Sequence, residues 1–267
     1  MTLVQPQPPS PEQAQALDAA AAILARAQRI LFVTGAGISV DSGLPTYRGI
    51  GGLYHDRLTD DGLSIEEALS GQMMATRPDI AWRYIAQIEA HCRGAQPNAA
   101  HCLIAALEQE KALVCVLTQN VDGLHRAAGS RNVIEIHGTV HRLHCMDCHH
   151  GRKVHDYAGL QIPPECPQCG GIMRPEVVLF GEALPERALE RLESVLEQGV
   201  DMVVSIGTTS VFPYIAGPVV QASQMGIPTV EINPTDTNVT RFVDYKLDSG
   251  AAASMRAIRA AYEQSVN

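Results

Sequence analysis

Four of the seven cysteines stand in two CxxC pairs whose spacing would let all four bind one metal ion. Each pair can bend two thiolates toward the same point, and two pairs complete a tetrahedral zinc site without a position for water. We therefore predict one structural Zn²⁺ per chain, with the ligands Cys145, Cys148, Cys166 and Cys169. Redox-active pairs or buried thiols are the alternative. Three nearby imidazoles are substitute ligands: His144, His149 and His150.

A glycine-rich turn at residues 35–39 (GAGIS) follows the apolar run 29–33 and is typical of a phosphate-binding loop. Small residues there let the main chain approach a pyrophosphate closely. The third glycine of the dinucleotide fingerprint is missing because position 40 is valine, and no acidic residue follows at the end of a second strand. A dehydrogenase that transfers hydride is therefore disfavoured.

Three more loops carry polar side chains of the kinds that active sites use. They are residues 43–49 (GLPTYRG), 118–125 (TQNVDGLH) and 136–138 (IHG). A single histidine at a strand end is usually a structural residue, but several polar groups converging at one sheet edge indicate an active site. The groups expected at this edge are Arg48, Gln119, Asn120, Asp122 and His137.

Helices and strands alternate along most of the chain and must position these loops. Apolar spacing predicts a helix from Pro11, a helix capped by Asn98 and another that ends near Gly199. Short apolar runs predict strands at residues 29–33, 112–117, 132–136, 200–206 and 228–232. This alternation predicts an α/β fold, a Rossmann-like doubly wound parallel sheet with ligands at the carboxyl ends of its strands.

Two segments interrupt the alternation and predict a smaller lobe, made of a helical module at 50–95 and a zinc-ribbon module at 141–175. The predicted Rossmann-like domain then comprises residues 11–49, 96–140 and 176–267, preceded by a flexible arm at 1–10. Three further cysteines lie in helix or strand patterns and are predicted to be core residues. They are Cys92, Cys102 and Cys115.

The composition indicates a globular enzyme with an acidic surface. Of the 267 residues 46% are hydrophobic, and the formal net charge is −9. Sequence-independent binding of nucleic acid needs a surplus of basic residues, so we expect no direct nucleic-acid binding. No basic and apolar leader opens the sequence and no apolar run has the length of a membrane span, so we expect a cytoplasmic protein without membrane contact.

The motifs GAGIS, GLPTYRG, TQNVDGLH and IHG, with the two CxxC pairs, resemble the sirtuin family in order and spacing. Residues 180–182 (FGE), 207–209 (GTT) and 232–233 (IN) follow in their places, so the resemblance runs from about residue 29 to 250. It implies an NAD-dependent protein-lysine deacylase (deacetylase). Such an enzyme cleaves NAD to nicotinamide and transfers the acyl group of an acyl-lysine protein or peptide to ADP-ribose.

The resemblance also implies roles for individual residues. His137 is implied to be the general base and Asn120 a second catalytic residue, and Asp122 is implied to face the nicotinamide carboxamide. The implied NAD-binding set is Gly35, Ala36, Gly37, Ser39, Tyr47, Arg48, Gln119, Asn120, Asp122, Gly207, Thr208, Thr209 and Asn233. A segment implied to pair with the substrate as an added strand is Val178, Leu179, Phe180, Gly181 and Glu182.

Departures from the family pattern concern the nicotinamide loop and the acyl group. Tyr47 stands where the family usually has phenylalanine. Sirtuins that remove succinyl groups carry Tyr-x-x-Arg in the helical module, and the nearest match here is Tyr84 with Gln87. Without a guanidinium to meet a carboxylate we expect neutral acyl groups, although in the neighbouring register Arg83 would approach the acyl site.

Three other functions stay open on the sequence alone. Mono-ADP-ribosyl transfer and NAD hydrolysis would use the same scaffold with a different acceptor. A non-enzymatic NAD sensor or zinc-ribbon binding module would not need Asn120, Asp122 and His137, all of which are present.

Overall fold

The computed structural model describes residues 10–46 and 58–266. The helices are α1 (Pro11–Arg26), α2 (Ile65–Ala68), α3 (Gly71–Thr76), α4 (Pro78–Cys92), α5 (Ala99–Leu107), α6 (Leu124–Ala127), α7 (Glu186–Glu197), α8 (Pro213–Gln224) and α9 (Ala251–Val266). The strands are β1 (Arg29–Thr34), β2 (Leu113–Thr118), β3 (Val133–Glu135), β4 (Gly138–Cys145), β5 (Gly151–Lys153), β6 (Met173–Val177), β7 (Met202–Ile206), β8 (Thr229–Ile232) and β9 (Tyr245–Leu247). Short 3₁₀ helices cover Ala36–Ser42 and Thr240–Phe242.

Six strands of the described chain form a parallel sheet in the order β3-β2-β1-β7-β8-β9. The central strands are almost entirely buried, as continuous apolar runs in a sheet covered on both faces should be. The strand order reverses between β1 and β7, and this switch point opens a crevice at the carboxyl ends of the strands. The predicted Rossmann-like fold class is confirmed.

Helices cover the two faces of the sheet and close two apolar cores. On one face α1, α5 and α9 pack around Phe32 and Ile104, and on the other α7 and α8 pack around Leu31 and Val203. The predicted cap of α5 is confirmed, since the Asn98 carboxamide oxygen accepts from Ala100 N at 2.9 Å.

The smaller lobe combines the short helices α2, α3 and α4 with an antiparallel sheet of order β5-β4-β6. Residues of the helices and of this sheet share one apolar core that includes Trp82, Leu143 and Met173. The lobe therefore has its own core, separate from the two cores of the main sheet. Within residues 10–46 and 58–266 no helix is long and apolar enough to cross a membrane.

Two predictions about local structure need correction. The strand predicted from residue 200 begins at Met202, because the Asp201 carboxylate turns back to accept from the main-chain N–H groups of Gln28 and Arg29. The prediction that Cys102 is a core residue is wrong, because α5 buries the face of Ala100 and Ile104 and leaves Cys102 exposed. Cys115 is buried as predicted.

Candidate active site

The glycine turn after β1 packs directly against the loop after β7. Gly37 N donates to the Gly207 oxygen at 2.8 Å, and Gly35 N donates to the Ile206 oxygen at 3.1 Å. A Cβ atom on Gly37 would lie 2.6 Å from the Gly207 Cα, and Gly207 itself has φ +59°. The glycines are therefore required for close approach of two main chains, and the N–H groups of Gly35 and Gly37 are used inside the protein.

Two side-chain amides after β2 donate to the glycine turn and to the loop after β7. Gln119 donates from Nε2 to the Thr208 hydroxyl at 2.7 Å. Asn120 donates from Nδ2 to the Gly35 oxygen at 3.1 Å and to the Ser39 hydroxyl at 3.3 Å. The ends of β1, β2 and β7 are thus held together by side chains that the sequence placed at one sheet edge.

Asp122 continues the same hydrogen-bond chain. Its carboxylate accepts from the Ser39 hydroxyl at 2.8 Å and from Leu124 N at 2.9 Å. Burial raises the pKa of Asp122, and the two donors oppose that rise. Ser39, Asn120 and Asp122 line a small pocket that also contains Ala36.

His137 follows β3 and is fixed at both ring nitrogens. Nδ1 lies 3.1 Å from the Gln119 main-chain oxygen and Nε2 lies 2.7 Å from the Tyr214 hydroxyl. Because a carbonyl oxygen only accepts, Nδ1 carries the proton and Nε2 presents its lone pair. Burial lowers the pKa of His137, so the imidazole is neutral at pH 7.

A cavity of about 870 Å³ joins most of the predicted site. His137 lies on its wall beside the glycine turns and the segment 178–182. The predicted site residues on its wall are Gly35, Ala36, Gly37, Gln119, Asn120, His137, Val178, Leu179, Phe180, Gly181, Glu182, Gly207, Thr208, Thr209 and Asn233. Ser39 and Asp122 line the small pocket instead. Tyr47 and Arg48 lie outside the described residues.

The segment 178–182 already uses part of its main chain within the protein. Val178 N donates to the His137 oxygen at 2.9 Å, and Phe180 N donates to the Leu69 oxygen at 2.9 Å. The Glu182 carboxylate pairs with Arg174 at 2.6 Å and accepts from Leu179 N at 2.9 Å. Glu182 therefore stabilises the loop through its side chain, and pairing of this segment with a substrate strand stays a prediction.

The predicted acyl-contacting pair on α4 is wrong by one residue. The Tyr84 hydroxyl donates to Asp61 at 2.7 Å, and Arg83 pairs with the same carboxylate at 2.7 Å. In the described part of the chain the α4 residues that line the cavity are Ile85 and Ile88, whereas Tyr84 and Gln87 do not. Because successive helical positions are about 100° apart, a shift of one residue brings a different face to the cavity. That face is apolar.

The four predicted zinc ligands converge. Their sulfur atoms lie within 4.8 Å of one another, with Cys145–Cys169 at 3.4 Å and Cys148–Cys166 at 3.6 Å. Tetrahedral zinc with Zn–S bonds of about 2.3 Å needs sulfurs about 3.8 Å apart, so the cluster fits the ion. Main-chain N–H groups donate to three of the sulfurs, an arrangement that favours thiolates. His144, His149 and His150 are not part of this cluster.

The sequence profile described as "Sir2 family" matches residues 35–213. A relative named NAD-dependent protein deacylase 2, from Pseudomonas syringae pv. tomato, is 51% identical over 239 residues, covering 88% of this chain and 96% of the relative. A protein of the same name from Pseudomonas aeruginosa is 48% identical over 231 residues, covering 85% of this chain and 90% of the relative. The chain belongs to the Sir2 family.

Solved Sir2 structures have the same fold. A Sir2 homolog–NAD complex matches with a TM-score of 0.82 at 35% identity, covering 92% of this chain and 94% of the other. A Sir2–p53 peptide–NAD⁺ structure matches with a TM-score of 0.77 at 28% identity, covering 92% and 97%. The family resemblance predicted from the motifs is confirmed.

Sequence reasoning missed two aromatic residues beside His137. Phe212 and Tyr214 stack on each other with ring centroids 5.4 Å apart, and both meet the His137 ring edge-on. They stand three and five positions beyond Thr209, at the start of α8, in a stretch that carries no motif. An aromatic residue at a helix start is usually a packing residue, so only the folded structure connects them to the base.

Proposed function

We propose that this Sir2-family chain is an NAD-dependent protein-lysine deacylase, and that His137 is its general base. The observation that carries the proposal is a neutral imidazole whose Nε2 lone pair lies at a large cavity. That cavity is bounded on one side by the glycine turns of a dinucleotide-binding sheet and on another by the segment 178–182. A base on the wall of a cavity that also contains the glycine turns and the segment 178–182 is in the position that deacylation requires.

Relatives support this function. Two proteins about half identical to this chain are named NAD-dependent protein deacylases, and Sir2 structures of the same fold contain NAD or a peptide with NAD⁺. We accordingly propose NAD as co-substrate and acyl-lysine proteins or peptides as partners. Mono-ADP-ribosyl transfer and NAD hydrolysis are the alternatives, and the names of the two similar relatives favour deacylation over both.

The proposed chemistry assigns a task to each residue at the switch point. NAD supplies a ribose carbon that loses nicotinamide, together with ribose hydroxyls that accept the acyl group. His137 takes the proton of a ribose hydroxyl at Nε2, while its Nδ1–H stays on the Gln119 oxygen and steadies the charged ring. Asp122 and Asn120 hold the nicotinamide side, because they line the small pocket beside the glycine turn.

The other proposed NAD contacts line the large cavity together with His137. Gly35, Gly37 and Gly207 line the large cavity, and we propose that the diphosphate lies against this pair of closely packed turns. Thr208 and Asn233 are already bonded to each other, Asn233 Nδ2 donating to the Thr208 oxygen at 3.2 Å. We propose that this pair binds the adenosine ribose side.

Zinc has a structural task in this proposal. Four cysteine sulfurs close a tetrahedral shell, which leaves no position for water or substrate. The residues that would hold the ion belong to the small lobe, and two of them, Cys145 and Cys166, are buried in its core. The metal therefore stabilises the lobe that forms one wall of the cleft.

Neutral acyl groups fit the proposed acyl wall. Ile65, Leu69, Ile85 and Ile88 bring apolar side chains to the cavity from the small lobe. A carboxylate placed against such a wall loses its water without gaining a cation. We therefore propose acetyl and similar uncharged groups as substrates.

The remaining expectations are retained as proposals. Four thiols gathered as metal ligands suit a reducing compartment, which supports a cytoplasmic location. A formal charge of −9 suits a lysine-bearing partner and disfavours nucleic acid. The predicted domain bounds at residues 11–49, 96–140 and 176–267, with inserts at 50–95 and 141–175, also stand as proposals.

The test is an incubation with NAD and an acetyl-lysine peptide, with products identified by mass spectrometry. Deacylation predicts that the peptide loses its acetyl group only when NAD is present. A peptide that gains ADP-ribose would instead indicate an ADP-ribosyltransferase. Nicotinamide release at the same rate with and without peptide would indicate an NAD hydrolase.

A further inference from the structure

The proposed general base, His137, is already hydrogen-bonded to another side chain of the protein at the nitrogen that must accept a proton. The Tyr214 hydroxyl lies 2.7 Å from His137 Nε2, the nitrogen that must accept a proton. Nδ1 already donates to the Gln119 oxygen, so Nε2 accepts and the Tyr214 hydroxyl donates. Burial raises the pKa of Tyr214, so the phenol keeps its proton throughout the neutral range.

Tyr214 is held in this position by the start of α8. Phe212 is the N-cap residue, Pro213 is the first helical residue, and Tyr214 follows in the first turn. The Phe212 and Tyr214 rings are nearly parallel, at an interplanar angle of 13°, and both line the cavity with His137. Proline fixes the main-chain φ angle at this point, so the phenol is presented from a rigid turn.

A ribose hydroxyl and the Tyr214 hydroxyl cannot both donate to the single lone pair of Nε2. We propose that Tyr214 is a positioning residue that caps His137 Nε2 in the free enzyme and yields this place to a ribose hydroxyl when NAD binds. The inference rests on the proposed function and adds to it a residue that acts through the base. The ribose proton then passes to Nε2, and Tyr214 keeps its own proton.

The cap has a consequence for the free enzyme. A donor on Nε2 stabilises the neutral imidazole and opposes its protonation, so removal of the Tyr214 hydroxyl should favour the charged ring. In residues 10–46 and 58–266 the charged groups on the same cavity wall are Asp41, Glu66 and Glu182. None of them is a cause of the His137 shift, and Asp41 and Glu182 are engaged with Ala252 N and Arg174. The Tyr214 hydroxyl, 2.7 Å from Nε2, is in direct contact with the base, so its removal should change the titration of His137.

The test is an NMR pH titration of His137 in the full-length protein, in wild type and in Tyr214→Phe. Removing the hydroxyl should raise the pKa of His137 by about 0.5–1 unit. Tyr245→Phe is the matched control, since Tyr245 lies on β9 and packs against the core of the main sheet. The control should titrate like wild type, and thermal denaturation should show both variants folded.

The same titration at saturating ADP-ribose then tests whether the Tyr214 hydroxyl leaves His137 Nε2 when a ribose binds. We expect the His137 pKa values of wild type and Tyr214→Phe to converge, because the ribose has replaced the phenol in both. Equal pKa values in the free proteins would overturn the cap, and a difference that persists with ADP-ribose would overturn the exchange. Neither readout needs turnover, so inactive enzyme with the expected titrations would count against the proposed function and leave the cap supported.

Kinetics supply a second readout. The acid limb of kcat/KM reports the free enzyme and should move to higher pH in Tyr214→Phe by the same amount as the NMR pKa. The acid limb of kcat reports the complex and should stay in place. A kcat limb that moves as far as the kcat/KM limb would show that Tyr214 remains on Nε2 during turnover and would overturn the exchange.

Discussion

The indole Nε1 of Trp82 donates to the main-chain oxygen of Met173 at 2.9 Å, in the buried core of the small lobe. Trp82 lies on α4, whose next turn brings Ile85 and Ile88 to the cavity, and Met173 begins β6, which pairs with the strand that ends at Cys145. The cysteine cluster and the acyl wall therefore share one core. Loss of the metal should disturb this contact and, with it, the position of the apolar side chains that α4 brings to the cavity.

We predict that the protein contains one zinc per chain and that the double variant Cys145→Ala, Cys166→Ala contains none. The small lobe should then lose its ordered core, and deacylation should fall at least about tenfold although no ligand takes part in the chemistry. Elemental analysis, thermal unfolding and activity of the purified proteins test this. Cys102→Ala, an exposed cysteine outside the cluster, is the control and should behave like wild type. Full activity of the double variant would contradict the structural role.

The acyl wall predicts a preference for acetyl-lysine over succinyl-lysine. A succinyl carboxylate against Ile85 and Ile88 would be desolvated without a cation, so its kcat/KM should be at least about 100-fold lower. Ile88→Arg should raise the succinyl-to-acetyl ratio, because it places a guanidinium on the cavity wall. Gln87→Arg is the matched control, one residue away and off the wall, and should leave the ratio unchanged. A ratio raised by Gln87→Arg and not by Ile88→Arg would show that position 87 faces the acyl group and would contradict the acyl wall.

Two buried histidines predict acid sensitivity of the fold. The His101 and His125 rings lie 4.8 Å apart, and His125 Nε2 is 3.0 Å from the Thr34 hydroxyl. Burial lowers the pKa of His101 to about 4 and, with the neighbouring His101, that of His125 to about 3, from an ordinary value of 6.5. Below pH 6.5 these histidines are protonated in the unfolded chain but stay neutral in the folded chain. The free energy of unfolding therefore falls as the pH falls from about 6.5 toward 4.

Each histidine should contribute up to about 1.4 kcal/mol per pH unit in that window. Urea unfolding of wild type and His125→Gln between pH 5 and pH 8 measures the difference, in which the other titrating groups cancel. The slope should be shallower in His125→Gln. His155→Gln serves as control for the loss of an exposed imidazole, because that side chain is 98% exposed and pairs with Asp156, and its slope should lie closer to that of wild type. Equal slopes in all three proteins would show that His125 titrates normally in the fold.

Much of the fold could be predicted from the sequence because its signals are local. The apolar runs of β1, β2 and β7 and the cap at Asn98 depend on a few adjacent residues. The cysteine cluster was predictable for the same reason, since each CxxC is one turn and the distance between the pairs is short. Contacts between residues that are close in sequence can be predicted from the sequence pattern.

Features that depend on contacts between residues far apart in the sequence could not be predicted. The face that α4 turns to the cavity is decided by tertiary contacts such as Tyr84 with Asp61, so a shift of one residue could not be seen in advance. Tyr214 meets His137 across 77 residues, and no pattern in the sequence connects them. Glu182 was expected at the substrate, and only the fold shows its carboxylate on Arg174.

His137→Ala should lose deacylation by about 10²–10⁴-fold, the range for removal of a general base, and should keep its affinity for NAD. The reason is that the imidazole acts on a hydroxyl proton and the glycine turns hold the cofactor. Calorimetric titration with NAD and initial rates on an acetyl-lysine peptide measure the two effects separately. His155→Ala is the control. A rate within about tenfold of wild type would remove His137 from the role of base.

The most direct test of NAD-dependent deacylation is the stoichiometry of its products. Wild-type protein is incubated with NAD and acetyl-lysine peptide, and nicotinamide, deacylated peptide and O-acetyl-ADP-ribose are quantified together over time. We predict that the three appear in equal amounts and that none appears when either substrate is left out. Nicotinamide formed without deacylated peptide, or deacylated peptide formed without O-acetyl-ADP-ribose, would contradict the account.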